Sequence, residues 1–515
     1  MAKYMASLVA VALLCVGCSG DDERLGRLKV YNWGDYIDEE LLVEFEEWYA
    51  EQTGEEVEVV YQTFDINEVM LAKIEKGEAD FDVVCPSEYI IERMMRNNLL
   101  QPIVDEEFIA DLERTGTENY LDCVSPYLKR QFDHIITPSP ELNANDYSVG
   151  YMWGTTGILF NTENVTAEEA SSWDLLFDER LEGKILIKDA FRDVYSPMLV
   201  YAMTVELREQ GVLGADETLP INDAVAAERN LDEAIPTIEG LMYDASDASI
   251  AHVEEYLKRM KQLVAGWEAD FGKEMMTQNK AWINLMWSGD AVWAIEEAAE
   301  VGVSLDYVVP EEGSVVWFDG WVIPKYAKNP RAARYFINYM CAPENAVRNM
   351  DATGYVSVVA TEEVLRAMDP MLAAMDETED EAEIAALQAE RDALLEEEGV
   401  DLSYFFKDNE GNPLTFDMGN GYIVSAANVY VDPIMYPDLS VIDRCAMMHD
   451  SGDQTEKMLE MWSRVKGDNL SPWMLAFIIV SFTIIVVWIV WHKVDAYRKQ
   501  RAMLKRHHHA RKQQK

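Results

Sequence analysis

Strand-like and helix-like patterns alternate through residues 27–96, and this alternation limits the folds open to the chain more than any other feature. Residues 27–31 (Arg-Leu-Lys-Val-Tyr) read as a strand. From about Asp38, Leu41, Leu42, Phe45 and Tyr49 fall on one face at helical spacing, and Gly54 suits the stop. Val57, Val59 and Tyr61 alternate as a second strand. Residues 67–76 read as a helix with Val69, Leu71, Ala72 and Ile74 apolar and Gly77 at its end. Residues 81–85 form a continuous apolar third strand, after which Pro86-Ser87-Glu88-Tyr89 opens another helix. Strand, helix, strand, helix, strand predicts an α/β fold. A second unit starts near Tyr147: residues 151–160 are apolar and β-branched, 173–177 read as a helix, and 185–187, 285–287 and 315–323 as strands. Residues 331–350 read as one helix with Ala332, Tyr335, Phe336 and Tyr339 on a shared face.

The two ends lie outside this pattern. Residues 1–17 read as an export signal, with Lys3 ahead of an apolar run over 8–14 that is too short to span a bilayer. Cys15-Val16-Gly17-Cys18-Ser19 resembles a bacterial lipobox, so cleavage before Cys18 and lipidation of Cys18 are expected, with 18–26 as a linker. At the other end, the 20 residues 472–491 carry no charge. At ~1.5 Å per residue such a helix reaches about 30 Å, one hydrocarbon core. Trp473, Trp488 and Trp491 near its ends suit the membrane interface. The tail 492–515 holds nine Lys/Arg and one Asp, which the positive-inside rule keeps in the cytoplasm.

Between these ends the chain is acidic. Of 515 residues, 43 are Lys/Arg and 94 Asp/Glu, a formal net charge of −51, yet 49% are hydrophobic. It has the apolar side chains for a large core, and the length allows two or more domains. Its field repels phosphates, which excludes a general nucleic-acid binder and favours a cationic ligand or partner. Cys85, Cys123, Cys341 and Cys445 allow three pairings, and none of them has metal-ligand spacing. Residues 361–430 form an acidic insertion: between 376 and 398 there are eleven acids and one Arg391, with a thin helical stripe of Ile384, Leu387 and Leu394. The simpler reading is a solvated helical hairpin on the surface; the sharper one is a docking arm for a basic partner face. Residues 431–471 complete the domain as a C-terminal helical segment.

Catalytic signatures are scarce. There is no HExxH, no GxSxG, no phosphate-binding GxxxxGK loop and no GxGxxG after a strand. Only His134, His252 and His449 lie between the ends, and paired carboxylates mean little in so acidic a chain. What recurs is aromatic rings beside carboxylates at the ends of predicted strands, where open α/β sheets bind ligands. These places are Asn32-Trp33-Gly34-Asp35-Tyr36, Ser87-Glu88-Tyr89, residues 189–193, Trp287-Ser288 and Trp317-Phe318-Asp319. The chemistry fits a linear polyamine. Carboxylates pair with its ammonium groups through charge-assisted hydrogen bonds. Aromatic faces cover its methylenes and attract its cations, at about 0.5–2 kcal/mol per contact. An amino acid or peptide would also ask for an Arg or a helix N-terminus to hold its carboxylate.

From about Arg27 to Tyr355 the chain resembles the spermidine/putrescine-binding proteins of bacterial ABC importers. The resemblance is carried by residues 31–36 (Tyr-Asn-Trp-Gly-Asp-Tyr), 81–89 (Phe-Asp-Val-Val-Cys-Pro-Ser-Glu-Tyr), 151–155 (Tyr-Met-Trp-Gly-Thr), 286–289 (Met-Trp-Ser-Gly), and 317–319 (Trp-Phe-Asp) with Ile323-Pro324. It implies a two-lobed type II periplasmic binding protein that closes on its ligand by a hinge. Lobe 1 would be 27–150, continued by part of 320–355, and lobe 2 would be 151–319. The acidic insertion 361–430 and the C-terminal transmembrane helix are additions to the usual soluble family member. By the same resemblance Trp33 and Tyr36 look like walls of the polyamine slot, and Ser87 and Tyr89 like polar and aromatic lining. Trp287 and Trp317 would sandwich methylenes, Asp319 would anchor an ammonium, and Tyr355 would make a further contact. Residues 188–193 match a family stretch with two carboxylates, which makes Asp189 and Asp193 candidates. A glutamine contact of the family falls around Met448 here, a departure at one end of the ligand.

The expected protein is therefore not an enzyme and needs no cofactor or metal. It is a membrane-tethered component that captures spermidine or putrescine and delivers it to ABC permease subunits of the inner membrane, from the periplasmic face. The alternative is a membrane-anchored polyamine receptor that signals, although the 24 residues after the predicted span are too few for a signalling domain.

Overall fold

The structure, a computed structural model, describes residues 24–467 apart from 78, 79, 233, 270, 409 and 420, together with 480–483 and 488. The expected signal, Cys18, most of the 472–491 run and the basic tail lie outside the described residues. Among the described residues, no helix is long and apolar enough to cross a membrane. The chain divides into a unit of residues 1–456 and another of 457–515. The architecture below belongs to the first. The described part of the second is the body of the helix Thr455–Gly467, with 480–483 and 488 beyond it.

The first unit is built on a twelve-stranded mixed sheet. Its strands are β1 (Arg27–Trp33), β2 (Glu58–Phe64), β3 (Val83–Val84), β4 (Leu100–Gln101), β5 (Ser148–Asn161), β6 (Ile185–Lys188), β7 (Val264–Glu268), β8 (Ile283–Trp287), β9 (Leu305–Val308), β10 (Ser314–Pro324) and β11 (Val356–Ser357). A separate hairpin, β12 (Thr415–Asp417) with β13 (Ile423–Ser425), stands apart, and β14 (Cys445–Ala446) pairs with β10. The main path runs β2-β1-β3-β10-β5-β8-β6-β7. One lobe is the parallel group around β1, the other the parallel group around β6. The long antiparallel pair β5 and β10, buried along its whole length, carries the sheet from one lobe to the other. The expected lobe boundary at 150/151 falls inside β5. The one at 319/320 coincides with a register shift in β10 between Asp319 and Gly320.

Local patterns explain most of the elements. The helix α1 (Glu40–Thr53) buries Leu41, Leu42, Phe45 and Tyr49, the face expected from their spacing. Gly54 ends it at φ 75°, donating its N–H to the Ala50 carbonyl, a conformation that glycine adopts without strain. In α2 (Asn67–Glu75) the inward face differs from the apolar set expected: Asn67, Met70, Leu71 and Ile74 are buried and Val69 is exposed. The buried Asn67 is held by partners on Ser87 and Tyr89, and the face follows from it at i, i+3, i+4 and i+7. The predicted helix 331–350 is two helices, Pro330–Met340 and Pro343–Thr353. Pro343 lacks a backbone N–H and disfavours a helical residue before it, so the chain breaks at Cys341-Ala342. Residues 173–177 form a 3-10 turn, Trp173–Phe177.

The remaining labelled helices are α3 (Glu88–Arg96), α4 (Phe191–Glu209), α5 (Ser288–Glu300) and α6 (Glu381–Glu398). The acidic stretch forms three helices, Glu362–Met368, Pro370–Asp376 and α6, in place of the expected hairpin. The eleven acids of 376–398 are exposed, and Ile384, Leu387 and Leu394 are half-buried. Arg391, however, points inward, with Nε 2.9 Å from Asp369 Oδ2, both side chains buried. The chain then returns to the body. Leu402, Phe405 and Phe406 are fully buried; Phe405 stacks on Trp153 at 5.0 Å, and Tyr404 meets Tyr127 edge-on at 5.1 Å. Cys85, Cys123, Cys341 and Cys445 are all free thiols.

Candidate functional site

After β1 the chain turns through Gly34 and Asp35, which takes φ 50°. The turn brings Tyr36 under the strand end, where Asn32 Nδ2 and Tyr151 hydroxyl both donate to the Tyr36 carbonyl, at 3.2 and 2.8 Å. From there the Tyr36 hydroxyl donates to Asp319 Oδ2 at 2.9 Å. Ser87, just ahead of α3, donates from Oγ to Asp319 Oδ1 at 2.7 Å, and the two backbones form an antiparallel bridge. Asn67 Nδ2 donates to Ser87 Oγ and to Tyr89 hydroxyl, each at 3.0 Å, and Tyr89 hydroxyl donates to Glu68 Oε1 at 3.3 Å. One lobe thus contributes a chain of polar contacts that ends on the buried Asp319 carboxyl.

The other lobe contributes the ends of β6 and β8 and the starts of α4 and α5. Trp287 Nε1 donates to Asp193 Oδ1 at 2.9 Å. Asp290, in the first turn of α5, accepts from Tyr355 hydroxyl at 2.9 Å and pairs with Lys188 at 2.6 Å and Lys273 at 3.3 Å. Rings connect the two groups: Tyr355 lies 5.0 Å from Tyr36 and 5.7 Å from Trp317. Two glycines make room. A Cβ on Gly289 would fall into the Tyr355 ring, and one on Gly154 would come within 2.6 Å of the Trp317 ring.

The structure therefore joins Tyr36, Ser87, Tyr89 and Asp319 into one hydrogen-bonded group, Asp193 with Trp287 into a second, and Trp317 with Tyr355 into a third that touches Tyr36. Trp33 ends β1, half-buried and tilted against Phe64 at 4.5 Å, with its indole N–H buried and unaccepted. Asp189 is not drawn in: its side chain is exposed at the end of β6, where its backbone N–H donates to the Glu268 carbonyl. Met448, at the family's glutamine position, is buried. Asn67, Glu68, Lys188 and Asp290 were not foreseen, and Glu88 was foreseen only as the acid of its motif. Asn67-Glu68 does follow the end of a strand, as the recognised motifs do, and Asp290 lies one helical step from Trp287.

The electrostatics are unusual for four of the acids. Burial pushes the Asp319 carboxyl up to about 7; the hydrogen bonds from Ser87 and Tyr36 oppose this and the charge of Asp193 adds to it. Burial likewise raises Asp193 to about 6, against the Trp287 indole N–H and the charges of Arg192 and Lys188. Burial also raises Glu68, and raises Glu88 well above the carboxylate range. Glu88 is fully buried; one oxygen accepts from the Phe318 N–H at 3.0 Å and the other has no partner among the described residues. Among the described residues, none of these four carboxyls has an ion-pair partner. Asp290 is the contrast: burial would raise it, but the ammonium groups of Lys188 and Lys273 outweigh that and hold it below the usual range. Among the described residues no cluster of His, Cys, Asp and Glu is of the kind that holds a metal ion.

Buried acids without counter-ions, faced by aromatic rings, can bind an organic cation; they lack the arrangement of nucleophile, base and oxyanion donors that covalent chemistry needs. Known proteins agree with that reading. Over 359 residues the chain is 26% identical to the spermidine/putrescine-binding periplasmic protein of Escherichia coli, covering 69% of this chain and 84% of that one. It is 27% identical over 367 residues to the putrescine-binding periplasmic protein of the same organism, with the same coverage. Among solved structures, the substrate-binding protein of a spermidine/putrescine ABC transporter from Streptococcus pneumoniae superposes with a TM-score of 0.51 at 25% identity, over 85% of this chain and 98% of that one. A lipoprotein of Treponema pallidum shares the fold with a TM-score of 0.53 at 18% identity, over 85% of this chain and 99% of that one. The first two are named as polyamine-binding proteins and the third as the substrate-binding protein of an ABC transporter, which is a binding role and not an enzyme's. The sequence profile of the bacterial extracellular solute-binding proteins matches residues 41–374, and the chain belongs to that family.

Proposed function

We propose that this protein captures a linear polyamine of the spermidine/putrescine class between its lobes and delivers it to an ABC permease. One observation carries the reading: Asp193 and Asp319, contributed from either side of the site, are buried carboxyls pushed above the usual range, and neither forms an ion pair among the described residues, although the charges of Lys188 and Arg192 act on Asp193. A buried carboxylate without a counter-ion is costly, and an incoming ammonium removes that cost. Relatives named for spermidine, putrescine and cadaverine support the class of ligand. In this reading Asp319 and Asp193 anchor ammonium groups, and Trp33, Tyr36, Trp287, Trp317 and Tyr355 cover methylenes. Ser87 and Tyr89 orient Asp319 and Glu68. Asp189 is left out because its side chain is exposed. Lobe closure excludes water, which strengthens each carboxylate–ammonium pair.

Calorimetric titration with putrescine and spermidine tests the site. Asp319→Ala and Asp193→Ala are each expected to weaken binding at least tenfold, about 1.4 kcal/mol or more. Unchanged affinity in both variants would defeat the assignment. We further propose that lipid on Cys18 and a membrane span at 472–491 hold the protein at the periplasmic face of the inner membrane, which raises its effective concentration beside the permease.

A further inference from the structure

We infer that Lys188 sets the length of amine that this site accepts, because its ammonium already stands where a third ligand ammonium would go. The inference rests on the polyamine reading and names which member of the class fits best.

Lys188 is the last residue of β6 and is 1% exposed. Its Nζ lies 2.6 Å from Asp290 Oδ2, 3.7 Å from Glu268 Oε1 and 4.3 Å from the centre of the Trp287 ring. Two of the three partners belong to the site. Trp287 is the residue whose indole N–H holds Asp193, and Asp290 is the acid that accepts from the Tyr355 hydroxyl. Asp290 is thus part of the same network as Asp193 and Asp319, yet its charge is already met by Lys188, with Lys273 at 3.3 Å on its other oxygen. The acids at the site fall into two classes: among the described residues Asp193 and Asp319 have no ion pair, while Asp290 is paired by the chain itself.

The aromatic surface is divided in the same way. The Lys188 ammonium over the Trp287 ring uses the quadrupole that a ligand cation would otherwise find there. An amine stretched from Asp319 to Asp193 meets Trp287 and, beyond it, a fixed positive charge. A short α,ω-diamine such as putrescine fills both open acids and ends there. The third ammonium of a triamine such as spermidine meets Lys188 in a water-poor site, where like charges repel strongly. The site is therefore selective for the diamine, and Lys188 determines that selectivity without holding the ligand itself.

The test is calorimetry on the full-length protein in detergent, with putrescine and spermidine titrated separately into wild type, Lys188→Met and Lys188→Arg. Wild type is expected to bind putrescine the more tightly. Lys188→Met, in which Lys273 still neutralises Asp290, should shift the ratio of the two dissociation constants at least tenfold toward spermidine. Lys188→Arg should leave the ratio within about threefold. If Lys188→Met does not fold, the double variant Lys188→Met/Asp290→Ser removes both charges together and should shift the ratio in the same direction. A ratio that does not move in the folded variant, or a wild type that already prefers spermidine, overturns the role of Lys188 while leaving the polyamine reading intact. A wild type that binds neither amine defeats the polyamine reading, and this inference with it.

Discussion

At the scale of single residues, Asp319 links the site to pH. Its carboxyl stands at about 7 in the folded chain against the ordinary aspartate value of 3.8, chiefly because it is buried. A raised carboxyl pKa means that the fold favours the protonated form. The corresponding stability is fully present below the unfolded pKa and is lost as pH rises through the folded one. Asp193 behaves alike, between 3.8 and about 6. The empty protein is therefore expected to lose stability relative to Asp319→Asn as pH rises from 4 to 8, as read by urea unfolding of both proteins. Ligand affinity should run the other way, because an ammonium binds the anion. It should fall on acidification below pH 7, approaching about tenfold per pH unit for each carboxyl that must release a proton. Calorimetry at pH 6 in two buffers of different ionisation enthalpy should show that proton release. Equal apparent enthalpies in the two buffers would contradict it.

At the scale of elements, one feature holds the site from outside it and a second holds the insertion together. The first is the return segment at 449–452. Arg93 and Arg96 of α3 pair with Asp450 at 2.7 and 2.8 Å, and His449 Nδ1 lies 2.8 Å from Glu92 Oε2. From the other lobe, Arg192 at the start of α4 donates to the His449 carbonyl at 2.6 Å, and its guanidinium lies 5.5 Å over the Tyr89 ring. The segment thus contacts the helix that begins at Ser87 and the helix that carries Asp193. The second feature is the buried pair Arg391–Asp369, which fastens α6 to the helices before it. Asp369 also accepts from the backbone N–H groups of Met371, Leu372 and Tyr430, so that one carboxylate gathers three parts of the insertion. Removing one partner of a buried ion pair leaves the other uncompensated. Arg391→Ala is expected to cost about 3–5 kcal/mol in urea unfolding, while polyamine affinity of the folded fraction stays unchanged. A loss below about 1 kcal/mol, the range of an exposed pair, would show that Asp369 has found water.

At the scale of the whole molecule, β5 and β10 run through both lobes, and the register shift in β10 falls beside Asp319. Asp319 thus sits where the two lobes are joined, so that in the proposed function a cation bound there would act on both. The proposed tether belongs to this scale as well. The uncharged run at 472–491 and the basic tail predict that the protein stays with membranes after carbonate washing, and that deletion of 472–515 leaves the lipid on Cys18 as the remaining anchor. Fractionation of the full-length chain, the truncated chain and a truncated Cys18→Ala variant reads both anchors. A truncated Cys18→Ala protein that still sediments with membranes would rule the two out as a sufficient account.

How much was legible in the sequence follows the range of the interactions. The units around β1 and β6, the inward face of α1 and its glycine stop could be read because each is set by periodicity within a few residues. The aromatic and acidic motifs at strand ends were legible for the same reason, since a strand end is a local feature. Contacts between distant residues were not. Tyr36 reaches Asp319, Lys188 reaches Asp290, and Phe405 reaches Trp153 only after the sheet is assembled. Composition also hid the difference between acids. Asp189 and Asp193 look equivalent four residues apart, yet one is exposed and the other buried. Which acid is buried, and whether a lysine or a ligand must answer its charge, depends on the packing that removes water from it, and that packing exists only in the tertiary structure.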